Sequence, residues 1–394
     1  MLSELPGPTL SADETAHSAR VAAHIRADIA AAGGWIPFSR FMQLALYAPG
    51  LGYYSAGTRK FGADGDFVTA PEITPLFARC LAGQVAEILG QSGGGDVVEV
   101  GAGSGALAAE LLATLAARDA LPEQYRILEV SAELRERQRA ALIERDPAIA
   151  KRVTWLDAPP DEPWRGALLA NEVADALPVE PFRLAASGIE AVGVVADVGG
   201  LAFETRPAGD ELAAQVRRRL ADLPEALPQG YESEASLLLR PWVAALAEQM
   251  QLGAMLFVDY GLARAHYYHP ARAGGSLCGF IRHRRVDDVL ANPGLQDITA
   301  WVDFTELAEA GLEAGLAVGG FSTQAHFLLA AGLDRELEAA GKGLDAVGQA
   351  RLSQAASMLV LPGEMGERFK VLALTRGIDE PLSGFAFRDL AATL

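Results

Sequence analysis

Glu99-Val100-Gly101-Ala102-Gly103-Ser104-Gly105 lies between an apolar run, Asp96-Val97-Val98-Glu99-Val100, and leucines 107, 111, 112 and 115 at helical spacing. A buried strand that passes through glycines straight into a helix opens a βαβ unit. The pattern continues outward. Tyr125 to Val130 reads as a second strand, Ala132 to Arg145 as a helix, Lys151 to Leu156 as a third strand and Ala167 to Ala170 as a fourth. Ala254 to Asp259 returns to the buried-strand pattern. Strands alternating with helices predict an α/β fold with a doubly wound, mainly parallel, Rossmann-like sheet.

Around this core the reading is coarser. Residues 1–92 form an expected N-terminal helical cap and flap, with helices over Ala16 to Ala32 and Pro75 to Leu89. Residues 93–185 are the expected cofactor-binding core. Residues 186–252 look like an inserted substrate-side module: a β-rich stretch from Ile189 to Phe203, a hairpin turn at Gly199-Gly200, and helices over Glu211 to Asp222 and Ser236 to Met250. Residues 253–394 hold the rest of the sheet. Here a long loop from Tyr260 to Arg285 is expected to be functional or disordered. It is followed by a strand at Asp297 to Val302, a helix from Phe304, a strand near Ala325 to Leu329 and a last strand over Phe369 to Thr375.

Composition narrows the function. The 394 residues are 50% hydrophobic and 21% charged, so the chain has ample apolar surface for a packed core. The net charge of −18 argues against nucleic acid and anionic membranes, which call for a positive field. Two cysteines, Cys80 and Cys278, cannot build a disulfide framework or a zinc site. His266 and His269 lack an evident third ligand, so no metal is expected. No secretory leader is evident in the first twenty residues, and no apolar run is long enough to span a bilayer. The expected location is the cytoplasm.

Glycines at the strand-to-helix junction let the backbone turn tightly and let a ligand approach it closely, at a helix N-terminus with free N–H groups. Two cofactor classes compete. A dinucleotide fingerprint fits Gly101, Gly103 and Ala106 loosely, but wants an acid about 20 residues on, whereas Glu129 is 28 positions after Gly101. The S-adenosylmethionine pattern of acid-x-Gly-x-Gly-x-Gly matches Glu99, Gly101, Gly103 and Gly105. Glu129, closing the second strand, would accept both ribose hydroxyls, and Glu99 would support the methionine end. Asp157 is placed to meet the adenine edge or to serve as a plain turn residue.

The fourth strand runs into Asn171-Glu172-Val173-Ala174-Asp175-Ala176-Leu177-Pro178. Ligands of open α/β sheets bind beyond the carboxyl ends of the strands. Asn171, Glu172 and Asp175 are therefore candidate catalytic residues; otherwise they cap the next helix. Carboxylates there could hold a cationic nucleophile and help receive its proton. Asp66-Phe67-Val68-Thr69-Ala70-Pro71-Glu72 reads as a flap over the cofactor, with Thr69 and Pro71 as binding candidates and Asp66 as a further catalytic one. The bland alternative is a simple helix start near Pro75.

Taken together these motifs resemble the MidA family, bacterial relatives of a mitochondrial complex I assembly-factor methyltransferase. Further carriers are Val258-Asp259-Tyr260-Gly261, Gln296-Asp297-Ile298-Thr299, Val302-Asp303-Phe304, Met365-Gly366 and Phe369-Lys370. The resemblance spans roughly residues 15–375. It implies a class I S-adenosylmethionine-dependent methyltransferase that modifies arginine on a protein partner; in the mitochondrial relatives that partner is a complex I core subunit. The chain departs from the family at Val173-Ala174, where a bulky residue is common, and at Gly275-Ser276-Leu277-Cys278-Gly279-Phe280, where Cys278 replaces a common arginine. An NAD-dependent oxidoreductase and a non-catalytic assembly factor on the same fold are the alternatives.

Overall fold

The computed structural model describes residues 10–56 and 69–394, which form two compact units. One unit comprises Thr69–Ala174, Leu239–Ala263 and Val302–Leu394. Its sheet has eight strands: β1 (Asp96–Val100), β2 (Tyr125–Leu128), β3 (Val153–Leu156), β4 (Trp164–Asn171), β5 (Met250–Leu262), β6 (Val302–Asp303), β7 (Ala317–Thr323) and β8 (Phe369–Arg376). They lie in the order β7-β8-β5-β4-β1-β2-β3, with β6 paired to β5. The pairs from β5 through β3 are parallel, and β8 runs antiparallel to both β5 and β7. This is the expected doubly wound, mainly parallel sheet, with one antiparallel strand, β8, set between β5 and the edge strand β7.

Burial on both faces explains why the central strands read as unbroken apolar runs rather than alternating ones. All five residues of β1 are buried, Asp96 and Glu99 included. Helices α1 (Pro75–Gln91), α2 (Ala106–Ala117) and α3 (Ala132–Arg145) pack beside it. Leu107, Leu111, Leu112 and Leu115 of α2 are each 3% exposed or less. At about 2 kcal/mol per buried leucine, that stripe fixes α2 and the turn it grows from. The Thr74 hydroxyl starts α1 by accepting from the Leu76 N–H at 3.3 Å.

One expected strand is a helix. Gln324–Ala330 forms α4, and the strand lies just before it, at β7. Thr323 is the reason: its hydroxyl accepts from the His326 N–H at 3.3 Å and caps the helix. The strand was hidden by Gly319-Gly320, whose composition suggests a turn. In the fold a Cβ on Gly320 would lie 2.3 Å from the Phe385 ring, so close packing requires the glycine. The expected Asp297 to Val302 strand divides into Asp297–Thr299 and β6, which belong to different units. The helix expected over Ser236 to Met250 is shorter, Leu239–Ala247, because Met250 already begins β5.

The other unit gathers the described residues 10–56 with Asp175–Leu238 and Arg264–Trp301. Its largest sheet is antiparallel and includes the expected hairpin, Gly188–Ala196 with Leu201–Pro207. Asp197 closes that turn by accepting from the Gly199 and Gly200 N–H groups at 2.7 and 2.9 Å. Val21, Ile25, Phe38 and Phe41 lie in its core. The expected long loop is ordered around buried Glu234. That carboxylate accepts from the Tyr267 hydroxyl at 2.8 Å, the Ser276 N–H at 2.9 Å and the Ser276 hydroxyl. Cys278 is buried in a short strand of the same region, and burial pushes its thiol pKa up. Among the described residues no helix is long and apolar enough to cross a membrane.

Candidate functional site

After β1 the chain winds out through β2 and β3 and then returns to β4 on the other side of β1. Such a reversal opens a crevice at the carboxyl ends of the strands. The residues named from the sequence at β1, β2 and β4 all stand at or next to those ends.

The glycine turn is dictated by conformation and by space. Gly101, Gly103 and Gly105 have φ of 65°, 53° and 86°, in the left-handed region that side chains disfavour. A Cβ on Gly101 would sit 3.1 Å from a Val173 methyl, and one on Gly105 2.9 Å from Gln138 Cα. Gly105 precedes α2 without any side-chain cap, so the helix presents its first N–H groups to the crevice.

Glu129 follows β2 and is 7% exposed. One carboxylate oxygen accepts from the Ser131 N–H at 2.9 Å and the other from Gln138 Nε2 at 3.2 Å. Burial raises its pKa, while the hydrogen bonds from Ser131 and Gln138 and the charge of Arg135 pull it back. The Val130 N–H is a further, weaker anchor, and the two oxygens together have four lone pairs, so the carboxylate keeps acceptor capacity for a ribose hydroxyl beyond these anchors. The glycine cradle and this carboxylate fit the sugar of a nucleoside cofactor.

Arg135 ties the neighbouring strand ends together. Its guanidinium donates to the Glu129 carbonyl at 2.6 Å, the Leu156 carbonyl at 2.9 Å and the Asp157 carboxylate at 2.6 Å. Asp157 is otherwise open to solvent, with its side chain 89% exposed. Val130, between Glu129 and Ser131, is 73% exposed, an apolar surface beside the Glu129 carboxylate. Arg135, Gln138 and Val130 were not singled out by the sequence. A glutamine in a helix reads as surface, and the only clue is its place four residues after Leu134 and four before Leu142, the helix's buried leucines.

Glu99 turns into the sheet. It is 3% exposed and accepts from the Tyr125 hydroxyl at 2.6 Å. Burial pushes its pKa up to about 7, the Tyr125 hydrogen bond opposes this, and the Glu129 charge adds to it. Between pH 4.5 and about 7 the folded chain holds a proton that the unfolded chain has released. Stability therefore falls as pH rises through that window, by about 2–4 kcal/mol from this group. Glu99→Gln keeps an acceptor for Tyr125 and removes the titration. Ligand-free thermal melts should show the variant more stable than the parent at pH 8 and similar to it at pH 5. Equal shifts at both pH values would refute this.

At the end of β4, Glu172 has a φ of 54°, unusual for a residue with a side chain. Its N–H donates to the Val258 carbonyl at 2.8 Å, and Asp259 accepts from the Ala174 N–H at 3.0 Å, so the end of β5 holds the strained turn. The Glu172 carboxylate accepts from Asn171 Nδ2 at 3.3 Å and from the Ala70 N–H at 3.4 Å. Ala70 opens a short helix, Ala70–Ile73, preceded by Thr69 and containing Pro71. The Thr69–Glu72 segment thus reaches the β4 terminus, and Thr69 does begin a helix, although its hydroxyl makes no cap bond. Asn171 Oδ1 is buried with no partner among the described residues. Asp66 lies outside the described residues. Asp175 belongs to the other unit, where it is 6% exposed; there burial, then the field of Asp297 and more weakly that of Asp175, raise the pKa of Tyr54.

Comparison with known proteins agrees with this geometry. A family model described as "Putative S-adenosyl-L-methionine-dependent methyltransferase" matches residues 80–322, more than half of the chain. Protein arginine methyltransferase NDUFAF7, mitochondrial, of Bos taurus is 30% identical over 372 residues, covering 86% of this chain and 80% of its own. The protein of the same name from Danio rerio is 29% identical, covering 89% and 86%. A crystal structure from Burkholderia thailandensis bound to S-adenosyl-homocysteine is 45% identical, covers 98% of this chain and 100% of its own, and superposes with a TM-score of 0.92. These findings favour the S-adenosyl pattern of the glycine turn over the dinucleotide one.

Proposed function

The chain belongs to this family of S-adenosyl-L-methionine-dependent methyltransferases, and on that premise we propose that it methylates arginine on a protein partner. The cofactor supplies a methyl group already activated by its sulfonium. The protein's own tasks are to bind, align, exclude water and manage a proton. Gly101, Gly103, Gly105 and Glu129 hold the cofactor in this reading, with Glu99, Asp157, Thr69 and Pro71 as supporting residues. Asn171 and Glu172 receive the acceptor. On its own unit, Asp175 attracts the cation, and Asp66 is assigned a similar part.

The observation that carries the reading is the pair at the end of β4. Asn171 offers a buried acceptor atom with no partner among the described residues, beside a carboxylate held on a strained backbone. A guanidinium is planar, rich in N–H donors and charged up to a pH of about 12. It needs acceptors that orient one nitrogen and a base that takes the proton this nitrogen loses. The proposed location is the cytoplasm, as the sequence suggested; the curated relatives are named mitochondrial. A respiratory complex I subunit, implied by the resemblance, is the first substrate to test.

The protein should be incubated with radiolabelled S-adenosylmethionine and a lysate of cells that lack it, and modified residues located by mass spectrometry. Methyl-arginine on one or a few proteins, absent with Glu172→Gln, is the expected result. Label confined to lysine, carboxylates or small molecules would overturn the arginine assignment.

A further inference from the structure

Gln138 is buried to 0% exposure in the middle of α3 and uses its whole amide. Nε2 donates to the Gly103 carbonyl at 3.0 Å and to Glu129 at 3.2 Å, and Oε1 accepts from Trp155 Nε1 at 2.8 Å. One side chain therefore connects the glycine turn after β1, the carboxylate after β2 and the indole of β3. The amide has two N–H donors, and both are committed to the cofactor crevice. Gly105 packs against the same residue, since a Cβ there would meet Gln138 Cα.

We propose that Gln138 is a positioning residue that fixes the Glu129 carboxylate for the ribose hydroxyls of the cofactor. A carboxylate on a two-carbon side chain could otherwise adopt several rotamers. Ser131 anchors one oxygen through a local backbone bond. Among the described residues Gln138 anchors the other from outside the turn, and it does so from a residue that also holds Gly103. The separation of turn and carboxylate is thereby set by one rigid amide rather than by two independent loops. A donor at this position also favours the ionised, purely accepting form of Glu129 against burial. The inference rests on Glu129 holding the ribose.

The test compares affinity for S-adenosylhomocysteine and for its 2′-deoxy analogue by calorimetry. The substitutions are Gln138→Met, which keeps the volume and removes both donors, and Gln138→Glu, which keeps the acceptor for Trp155 but exchanges the amide donors for a second acid facing Glu129. Parent protein should bind the ribose ligand at least tenfold more tightly than the deoxy one. Both variants should lose about tenfold for the ribose ligand and less than threefold for the deoxy one. The Gln138→Met loss should grow as pH is lowered, because without that donor burial lets Glu129 protonate more readily. Equal losses for the two ligands would make Gln138 merely structural and overturn the inference. A parent that fails to distinguish the two ligands would instead overturn the ribose role of Glu129. If Gln138→Met does not fold, Gln138→Glu alone decides the matter.

Discussion

Glu129→Ala is expected to weaken S-adenosylmethionine binding by about 100-fold while leaving the ligand-free melting temperature within a few degrees. Two hydrogen bonds to an ionised carboxylate, at about 1.5 kcal/mol each, give roughly that factor. The small structural cost follows from burial. The carboxylate is 7% exposed and its pKa is raised, so the fold gains little from keeping it charged. Its removal does leave the Ser131 N–H and one Gln138 donor without their partner. Water entering the space vacated by the side chain is expected to satisfy them. Titration calorimetry reads the affinity and a thermal melt reads the fold. Unchanged affinity would remove Glu129 from the cofactor site.

Glu172→Gln should reduce kcat by about 100- to 1,000-fold and change cofactor affinity by less than about twofold. Loss of a positioned proton acceptor typically costs that much. The amide is isosteric and can still accept from Ala70 and Asn171, so the turn should survive. The left-handed φ of 54° is held by the bond from the Glu172 N–H to Val258, which the substitution does not touch. The discriminating readout is a fall in kcat without loss of binding. A matching fall in cofactor affinity would place Glu172 on the cofactor instead, and an unchanged kcat would exclude it as the proton acceptor.

Much of the fold was legible because its signals are local. The passage from β1 through Gly101, Gly103 and Gly105 into α2 is a strand, a turn and a helix within some twenty residues, each with its own composition. Glu129 and Asn171-Glu172 were legible for the same reason: they close strands that announce themselves as apolar runs. What could not be read depends on residues distant in sequence. Gln138 meets Gly103 from 35 positions away, and within α3 only its spacing from Leu134 and Leu142 marks it off from an exposed glutamine. Glu234 organises the Tyr260 to Arg285 region from 42 positions before Ser276, so that region looked like unstructured loop. At Ala325 to Leu329 the run is too short to show its period and reads as a strand, although Thr323 before it is a ready helix cap. The strain at Glu172 is invisible in sequence altogether, because its backbone is set by hydrogen bonds to β5.

Two buried acids on adjacent strands, Glu99 and Glu129, also sense one another. Glu129 is among the causes that raise Glu99. The sheet thus carries a protonatable carboxyl directly below the cofactor crevice. Binding that fixes Glu129 as an anion favours the neutral form of Glu99.

The central claim is that the sugar of a sulfonium nucleoside is held by Glu129 beside the turn at Gly101 to Gly105. A crystal structure of this protein grown with S-adenosylhomocysteine tests it most directly. Both ribose hydroxyls should lie within about 3 Å of the two Glu129 oxygens, with Gln138 still bonded to one of them. A ligand bound in the crevice with its ribose turned away from Glu129, or bound elsewhere on the chain, would contradict the account.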